Sequence, residues 1–176
     1  MPQAQAVVWG FSFLPVEIHD RDGHQLCLRP QTPGDFFGLM SMYGRFDPKG
    51  SAYGLPPKGR WEAARWLRRL ERESFNLVAV HDRRIVGHAI LAGLGSGRSA
   101  EMTLFVDKTF RDRGLGTALA SVALRCALAA DCELLWTLIQ RYNRPAIQIC
   151  RKAGFTAAQA APGPDVEMRL RLARLT

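Results

Sequence analysis

Metal-binding and disulfide patterns are absent from this sequence. Its four cysteines form no CxxC pair and show no zinc spacing with the four histidines. Three of the four lie in apolar strand or helix patterns, so we expect buried free thiols; the cysteines are Cys27, Cys126, Cys132 and Cys150. This usage favours a reducing, cytoplasmic environment, and we predict no metal site.

Long hydrophobic runs are missing too. No apolar stretch approaches the ~20 residues that a membrane span needs. The N-terminus has no basic head followed by an apolar core, so we expect no signal peptide. Internal repeats and low-complexity tracts are also absent. We therefore predict a protein without a membrane partner.

Acidic residues are outnumbered by basic ones. The 16 Asp and Glu against 24 Lys and Arg give a net charge of +8. This balance favours anionic partners such as nucleic acid, acidic protein patches or a polyphosphate cofactor. A local cluster of arginines from Lys58 to Arg72 lies at helical spacing. It is either a solvated helix face or an electrostatic funnel for an anionic ligand, and composition does not decide between the two.

The length and hydrophobic content fit one domain. A chain of 176 residues with 47% hydrophobic residues can bury a core without disulfides or metal. Residues 1–15 show no clear period and are interpreted as an N-terminal arm before a single domain over 16–176. Strand patterns cluster first and then alternate with helical ones. This order predicts an α/β (α+β) fold with a mixed sheet of about six or seven strands flanked by helices.

Local signals place the first elements. The pair Asp22-Gly23 predicts a type I′ hairpin turn between strands at 16–19 and 25–29. The pair Thr32-Pro33 predicts a helix start, with the threonine as N-cap. The loop from Asp47 to Gly59 holds three prolines and three glycines. It is long enough that we expect it to line a site.

The later elements follow from hydrophobic periodicity. Helices are predicted over 60–72, 117–129 and from Asn143-Arg144-Pro145 to a glycine cap at Gly154. Strands are predicted over 75–81, 84–92, 100–106, 133–139, 155–158 and 166–172, with a tight turn at Asp82-Arg83.

The most informative stretch is Arg-Asp-Arg-Gly-Leu-Gly at residues 111–116. An apolar strand at 101–106 precedes it, and the amphipathic helix from Thr117 follows. Strand, glycine-bearing turn and helix in this order place free backbone N–H groups at a helix N-terminus, where they can hold a phosphate. The glycines allow an anion to lie against the main chain. The sequence therefore predicts a phosphorylated ligand.

These motifs resemble those of the GNAT superfamily of N-acetyltransferases, over about residues 25–172. Residues 111–116 fit the family's (Arg/Gln)-x-x-Gly-x-(Gly/Ala) pyrophosphate loop, and the strand at 101–106 stands where its fourth strand does. The segment Asn143-Arg144-Pro145-Ala146, followed by Ala153-Gly154-Phe155, fits the later Asn-x-x-Ala…Gly-Phe segment. The region around the loop is also similar to bacterial protein lysine acetyltransferases.

The resemblance implies a mostly antiparallel sheet with splayed central strands and acetyl-CoA (coenzyme A) as co-substrate. It implies that the loop binds the pyrophosphate, that Arg111 or Arg113 adds charge-assisted contacts, and that main-chain groups of the preceding strand bind the pantetheine amides. Asn143 contacts the cofactor, caps its helix, or does both. The cofactor-binding residues so implied are Leu104, Phe105, Val106, Arg111, Asp112, Arg113, Gly114, Leu115, Gly116, Thr117 and Asn143.

Acetyl transfer to an amine needs a neutral amine for the attack and a proton for the departing thiolate. Glu101, on the strand before the loop, is the candidate general base; otherwise it is a solvent-facing or salt-bridged carboxylate. Many relatives carry a tyrosine as acid seven residues after the asparagine, where this chain has Cys150. A thiol can donate a proton, but Cys150 also continues the apolar stripe of its helix, and packing is the alternative role. His88 lies in a strand and is interpreted as structural.

The sequence thus predicts a transferase: an acyl-CoA-dependent N-acyltransferase that moves an acetyl group to a small-molecule amine or a protein lysine, by direct attack in a ternary complex. The alternative is a non-catalytic GNAT-like module that senses acyl-CoA or docks on nucleic acid. A nucleotide-binding Rossmann domain is disfavoured because the loop lacks GxGxxG spacing. We expect a monomer or a homodimer.

Overall fold

One eight-stranded sheet organises the chain in the computed structural model, which describes residues 10–48, 55–95, 97–158 and 163–172. Most of the proposed N-terminal arm and residues 49–54 of the 47–59 loop lie outside the described residues. The strands are β1 Val16–His19, β2 Gln25–Pro30, β3 Ser74–His81, β4 Arg84–Ala92, β5 Ser99–Val106, β6 Leu134–Gln140, β7 Thr156–Ala157 and β8 Asp165–Arg171. The helices are α1 Phe36–Arg45, α2 Arg60–Glu73, α3 Leu115–Ala129 and α4 Arg144–Lys152, and 3₁₀ turns lie at Pro33–Asp35 and Lys108–Phe110.

The strand order is β1-β2-β3-β4-β5-β6-β8-β7. All neighbouring strands pair antiparallel except β5 and β6, which are parallel. The described sheet has eight strands, more than the expected total of six or seven, and each of the eight lies at a predicted strand segment, the short β7 within 155–158. The mixed α/β fold is confirmed.

Helices cover both faces of the sheet. The larger core cluster contains the buried face of α3 and residues of β2 to β6, and a smaller one contains α1, α2 and the other face of the central strands. α2 buries Ala63 and Leu67 and leaves its arginines on the exposed side, as its amphipathic pattern predicts.

The first hairpin confirms the predicted strands but not the predicted turn. A type I′ turn needs positive φ at both central residues, and of the pair Asp22-Gly23 only Gly23 has it, at 84°. The chain instead forms a longer turn in which the Asp20 carboxylate accepts the amides of Asp22 and His24, both at 2.9 Å. The φ values of a type I′ turn occur at Asp82 and Arg83, 45° and 62°, between β3 and β4.

The entry to α1 is fixed by one carboxylate. Asp35 accepts hydrogen bonds from the Thr32 amide at 2.7 Å and from its hydroxyl at 2.9 Å. Arg29 of β2 binds the same carboxylate with two nitrogens, at 2.7 and 2.8 Å. These donors hold the pKa of Asp35 below its usual value although burial alone would raise it. The helix start is thereby tied to the sheet.

The end of the proposed arm packs on the domain. Phe11 meets Phe75 edge to face with ring centroids 5.1 Å apart. The Arg125 guanidinium of α3 lies 4.2 Å from the centre of the Phe13 ring. Residues 10–15 therefore belong to the packed structure.

Candidate active site

The loop between β5 and α3 presents unbonded main-chain amides. Gly114 is the N-cap of α3 and has φ of 91°, a left-handed conformation that favours glycine. The first main-chain bond of the helix runs from the Ala118 amide to the Gly114 carbonyl. Within the described residues, the amides of 113–117 donate to no main-chain or side-chain acceptor. They form the anion-binding arrangement that the glycine pattern predicts.

The second glycine of the loop has a use beyond the one predicted. A Cβ on Gly116 would lie 2.7 Å from Cδ1 of Ile149 in α4. Gly116 thus lets α3 and α4 approach closely, whereas Gly114 supplies the unusual backbone conformation. The Ile149 side chain thus occupies the Cβ position of Gly116, a reason for glycine that the motif did not predict, and an anion contact by the Gly116 amide stays a prediction.

Both loop arginines already have partners in the protein. Arg111 donates from Nε to the Val106 carbonyl at 3.2 Å and from a terminal nitrogen to the Asp47 carbonyl at 2.7 Å. Arg113 pairs through Nε with Asp22 at 3.1 Å and points towards the β1–β2 hairpin. The main chain, more than these two side chains, is free to meet an anion.

The strands β5 and β6 part immediately before this loop. Their pairing ends at Glu101 and Trp136, while β5 continues to pair with β4 as far as Val106. The gap between the two strands is the splay that the resemblance implies.

Hydrogen bonds at both ends of β5 show where its main chain points. The Asp107 amide donates to Val86, towards β4, at 2.8 Å, and the Leu134 amide of β6 donates to the Arg98 carbonyl at 3.0 Å. Because successive residues of a strand direct their polar groups to opposite sides, the even-numbered residues of β5 face β6. Leu104 and Val106 therefore present main-chain groups to the gap, and those of Phe105 pair with β4.

The gap opens into a cleft of about 430 Å³. Its walls come from β5, β6, the start of α3, α4 and the loop after α1. The residues that line it include Phe46, Pro48, Leu55, Leu104, Phe105, Val106, Arg111, Asp112, Gly116, Thr137, Gln140, Asn143, Ile149 and Cys150. The 47–59 loop thus contributes Pro48 and Leu55, as expected of a loop that lines a site.

Asn143 caps α4 at the rim of the cleft. Its Oδ1 accepts the Ala146 amide at 3.3 Å, and the residue also lines the cleft. Capping is therefore observed, and a cofactor contact by the Nδ2 group stays a prediction. Nearby, the Tyr142 hydroxyl donates to the Gln140 side chain at 2.6 Å.

Glu101 lies where β5 and β6 diverge, opposite Trp136. Its side chain shares a sheet face with Phe105, the face covered by α1 and α2. No side chain in the described part of the structure pairs with its carboxylate. Desolvation by burial raises its pKa, as suits a base that must hold a proton.

Cys150 lines the cleft from α4 but is buried. Desolvation raises the pKa of its thiol to about 11. A group with that pKa is a poor donor to a departing thiolate whose conjugate acid has a pKa of about 8.5. Its neighbours in the core cluster include Ile139 and Phe155, so its surroundings match the packing role.

Sequence reasoning missed the β6 side of the cleft. This side of the cleft is lined by Thr137, Leu138 and Gln140. The hydrophobic pattern of these residues predicts only a buried strand. A parallel neighbour that parts from β5 halfway leaves no mark in a hydrophobic pattern. Asp107, whose carboxylate accepts the Thr109 amide at 3.0 Å and pairs with Arg45 at 3.1 Å, could have been found as a turn signal after the strand.

Residues 39–155 match the family model described as "Acetyltransferase (GNAT) family". This stretch is more than half of the chain. The chain belongs to the GNAT acetyltransferase family. GNAT acetyltransferases use acetyl-CoA. In this chain β5, the glycine loop and α3 follow one another in the order that the sequence motifs indicate.

A relative from Bacillus subtilis (strain 168) is named "Putative phosphinothricin acetyltransferase YwnH" and is 30% identical over 66 residues. The match spans 38% of this chain and only 40% of the length of that relative. It supports the family but does not assign an acceptor.

Solved GNAT structures share the fold. The GNAT domain of S. lividans PAT superposes with a TM-score of 0.81 at 18% identity, covering 93% of this chain and 99% of that one. The structure of yncA from Salmonella typhimurium with its cofactor acetyl-CoA gives a TM-score of 0.68 at 17% identity, covering 84% and 94%. A ribosomal-protein-alanine N-acetyltransferase from Brucella melitensis gives 0.66 at 20% identity, covering 82% and 99%.

Metal-ligand clusters and membrane-spanning helices are both absent from the part of the chain that the structure describes. Residues 10–48, 55–95, 97–158 and 163–172 contain no group of three or more His, Cys, Asp or Glu side chains placed to hold a metal ion. In the same ranges, no helix is long and apolar enough to span a membrane.

Proposed function

We propose that this GNAT protein transfers an acetyl group from acetyl-CoA to a primary amine, either a protein lysine or a small molecule. The observation that carries the proposal is the succession of two sets of main-chain groups without a protein partner among the described residues: those of Leu104 and the amide of Val106 on β5, and then the amides of 113–117 at the start of α3. A ligand with amides next to a pyrophosphate matches that succession in order and chemistry. Acetyl-CoA supplies an activated thioester when bound.

The proposed roles of the residues follow the geometry. Amides of 113–117 would hold the pyrophosphate, and the main chain of β5 would pair with the pantetheine arm as an added strand. Asn143 would contact the arm from α4 while capping its own helix. The reacting end then lies towards the closed end of the gap, where β5 and β6 begin to pair.

Glu101, at that closed end, would accept a proton from the acceptor ammonium directly or through one water. The neutral amine would then attack the thioester carbonyl, so that a carbon–nitrogen bond forms, the nitrogen loses its second proton to water and the carbon–sulfur bond breaks. The thiolate takes a proton from Cys150 or from water. Because the Cys150 thiol is buried and its pKa is raised, we propose water as the main proton source.

The acceptor would approach from the face of the sheet that carries α1 and α2, opposite α3. Phe46, Pro48 and Leu55 line the cleft on this side. These apolar side chains suit the aliphatic part of an amine better than a second charged group. A lysine side chain or an alkylamine fits this description.

The experiment is a thiol-release assay on the full chain with acetyl-CoA, an amine panel and a lysine-peptide panel, together with calorimetric binding of CoA. Release with CoA binding supports the proposal. CoA binding without release on any acceptor favours an acyl-CoA sensor. Salt-dependent binding to random DNA without CoA binding favours a nucleic-acid-docking module. Gly114→Val, which introduces a β-branched residue at positive φ, is the control that should abolish CoA binding.

A further inference from the structure

We propose that Asp20, in the β1–β2 hairpin outside the cleft, is a positioning residue for the pyrophosphate: it holds Arg113 so that the loop amides keep their direction. The inference rests on the proposed function, because it assumes that these amides meet the phosphates of acetyl-CoA. It assigns Arg113 an internal structural role in place of direct contact with the phosphates.

The Asp20 carboxylate is held in position by its surroundings. The side chain is fully buried, and its Oδ1 accepts the amides of Asp22 and His24. Its Oδ2 lies 3.0 Å from Nδ1 of His24 and 3.9 Å from a terminal nitrogen of Arg113. Burial alone would raise the pKa of Asp20, but the hydrogen bonds from His24 and Asp22 lower it. The group therefore stays ionised beside Arg113.

Arg113 is held from several directions. Its Nε lies 3.1 Å from the Asp22 carboxylate, and a terminal nitrogen lies 3.9 Å from Oδ2 of Asp20. Its guanidinium carbon is 5.3 Å from the centre of the Phe110 ring. The side chain therefore points to the hairpin.

The hairpin also binds the loop backbone. The Arg21 amide donates to the Arg113 carbonyl at 3.0 Å, and the Arg21 side chain donates to the Asp112 carbonyl at 3.4 Å. In a trans peptide the C=O and the following N–H point in opposite directions. Fixing these two carbonyls on the hairpin thus directs the amides of Arg113 and Gly114 away from it.

The alternative arrangement makes the opposite prediction. If Arg113 bound the phosphates directly, Asp20 would compete with them, and removal of its negative charge would tighten CoA binding. If Arg113 is a positioning residue, removal of Asp20 loosens the loop and weakens binding. The sign of the effect therefore separates the two roles.

Asp20→Asn is suited to this test because the amide oxygen can still accept the two turn amides, while an NH2 group replaces the Oδ2 that faces Arg113. We expect Asp20→Asn and Arg113→Gln each to weaken CoA binding about tenfold, as for loss of one charge-assisted hydrogen bond. The KM for acetyl-CoA should rise alike, with kcat at saturation within about twofold. The double variant should bind no worse than the weaker single one, and Arg113→Lys should recover part of the loss.

The matched control is Asp131→Asn, which removes one carboxylate from the turn after α3, at the opposite end of that helix from the loop. Its CoA affinity should equal that of the wild type. Thermal unfolding of every variant separates loss of fold from loss of affinity; if Asp20→Asn does not fold, Asp22→Asn carries the same test of sign, because it removes the charge of the carboxylate 3.1 Å from Nε of Arg113. Tighter or unchanged binding by Asp20→Asn, or additive losses in the double variant, would overturn the proposal. Wild-type protein that binds no CoA would instead overturn the proposed function on which it rests.

Discussion

Tyr43 of α1 donates a 2.7 Å hydrogen bond to Nδ1 of His88, a histidine of β4 with no exposed surface. The other ring nitrogen lies 3.1 Å from the Asn76 oxygen, and the Asn76 amide nitrogen donates to the carbonyls of Leu70 and Ser74. Since the asparagine oxygen can only accept, Nε2 carries the proton and Nδ1 is the acceptor. The ring is therefore neutral and ties α1 and α2 to the sheet.

The first prediction concerns the acid stability of this buried pair. Desolvation lowers the pKa of His88 to about 3, from 6.5. Below about pH 6.5 the imidazole is therefore protonated in the unfolded chain and neutral in the folded one. The free energy of unfolding should fall as the pH drops from about 6.5, with a slope of up to about 1.4 kcal/mol per pH unit. In His88→Gln this contribution should vanish. Urea unfolding at pH 7, 6, 5 and 4.5 measures the slope.

The range above pH 4.5 isolates His88 from the aspartates. Asp20, Asp35 and Asp107 have lowered pKa values, so their contribution is lost only below about pH 4. Glu101 acts with the opposite sign because its pKa is raised, and the slopes are therefore also compared in a Glu101→Gln background. A slope in His88→Gln equal to that of the wild type would refute a neutral buried imidazole.

The second prediction tests Glu101 as the base. Glu101→Gln should lower kcat/KM for the amine by about 10²–10³-fold at pH 6, and much less above pH 9, where a growing fraction of the acceptor is already neutral. The measurement is thiol release against pH for one amine acceptor.

Glu133→Gln is the matched control, since it removes a glutamate just before β6 that pairs with Arg98 at the other end of the β5–β6 pairing. Its pH profile should follow that of the wild type. A Glu101→Gln enzyme with the wild-type profile would exclude Glu101 as the base. Glu101 would then be only a partly buried carboxylate at the point where β5 and β6 diverge.

Much of the fold could be predicted because local signals and tertiary structure agree. The apolar stripe of α3, with Leu115, Leu119 and Cys126, is buried as its spacing indicates. The Asp22-Gly23 turn could not be predicted in type, because the Asp20 carboxylate binds the turn amides and selects a longer turn. A rule based only on the dipeptide Asp22-Gly23 does not take account of Asp20, which lies two residues earlier in the sequence.

The candidate site also has parts that could be predicted from the sequence and parts that could not. The glycine loop and the Asn143 cap are local features and could be read from short motifs. The gap between β5 and β6 arises from two strands whose paired residues, such as Ser99 and Leu134, are far apart in sequence, so no local pattern predicts it. The ion pairs of Arg113 are also long-range contacts, and for that reason the sequence left this arginine as a candidate phosphate ligand.

The third prediction concerns Cys150. If its role is packing, Cys150→Ala should lower the free energy of unfolding by about 1–3 kcal/mol through the small cavity it leaves. The value of kcat should stay within about twofold, and its pH profile should not change. Cys150→Ser puts a buried hydroxyl in the same volume and should destabilise the fold with little effect on kcat. A fall in kcat of tenfold or more in both variants would instead assign the thiol to proton donation.

The fourth prediction follows from the contact between Gly116 and Ile149. Gly116→Ala would bring a methyl group to 2.7 Å from Cδ1 of Ile149, so the Ile149 side chain must change its rotamer or α4 must shift. We expect a loss of about 1–3 kcal/mol in the free energy of unfolding from overpacking. CoA affinity should also fall, because Ile149 lines the cleft and the loop and Asn143 lie at the starts of the two helices that meet at this contact.

The compensating change is Ile149→Val, which removes the Cδ1 atom that would clash. The double variant Gly116→Ala/Ile149→Val should regain most of the CoA affinity and stability lost in the single one, while Ile149→Val alone should bind CoA as the wild type does. Calorimetry and thermal unfolding of the four proteins give the coupling between the two sites. If the losses were merely additive, Gly116 would matter through its own backbone or through direct room for the pyrophosphate, and not through the approach of α3 to α4.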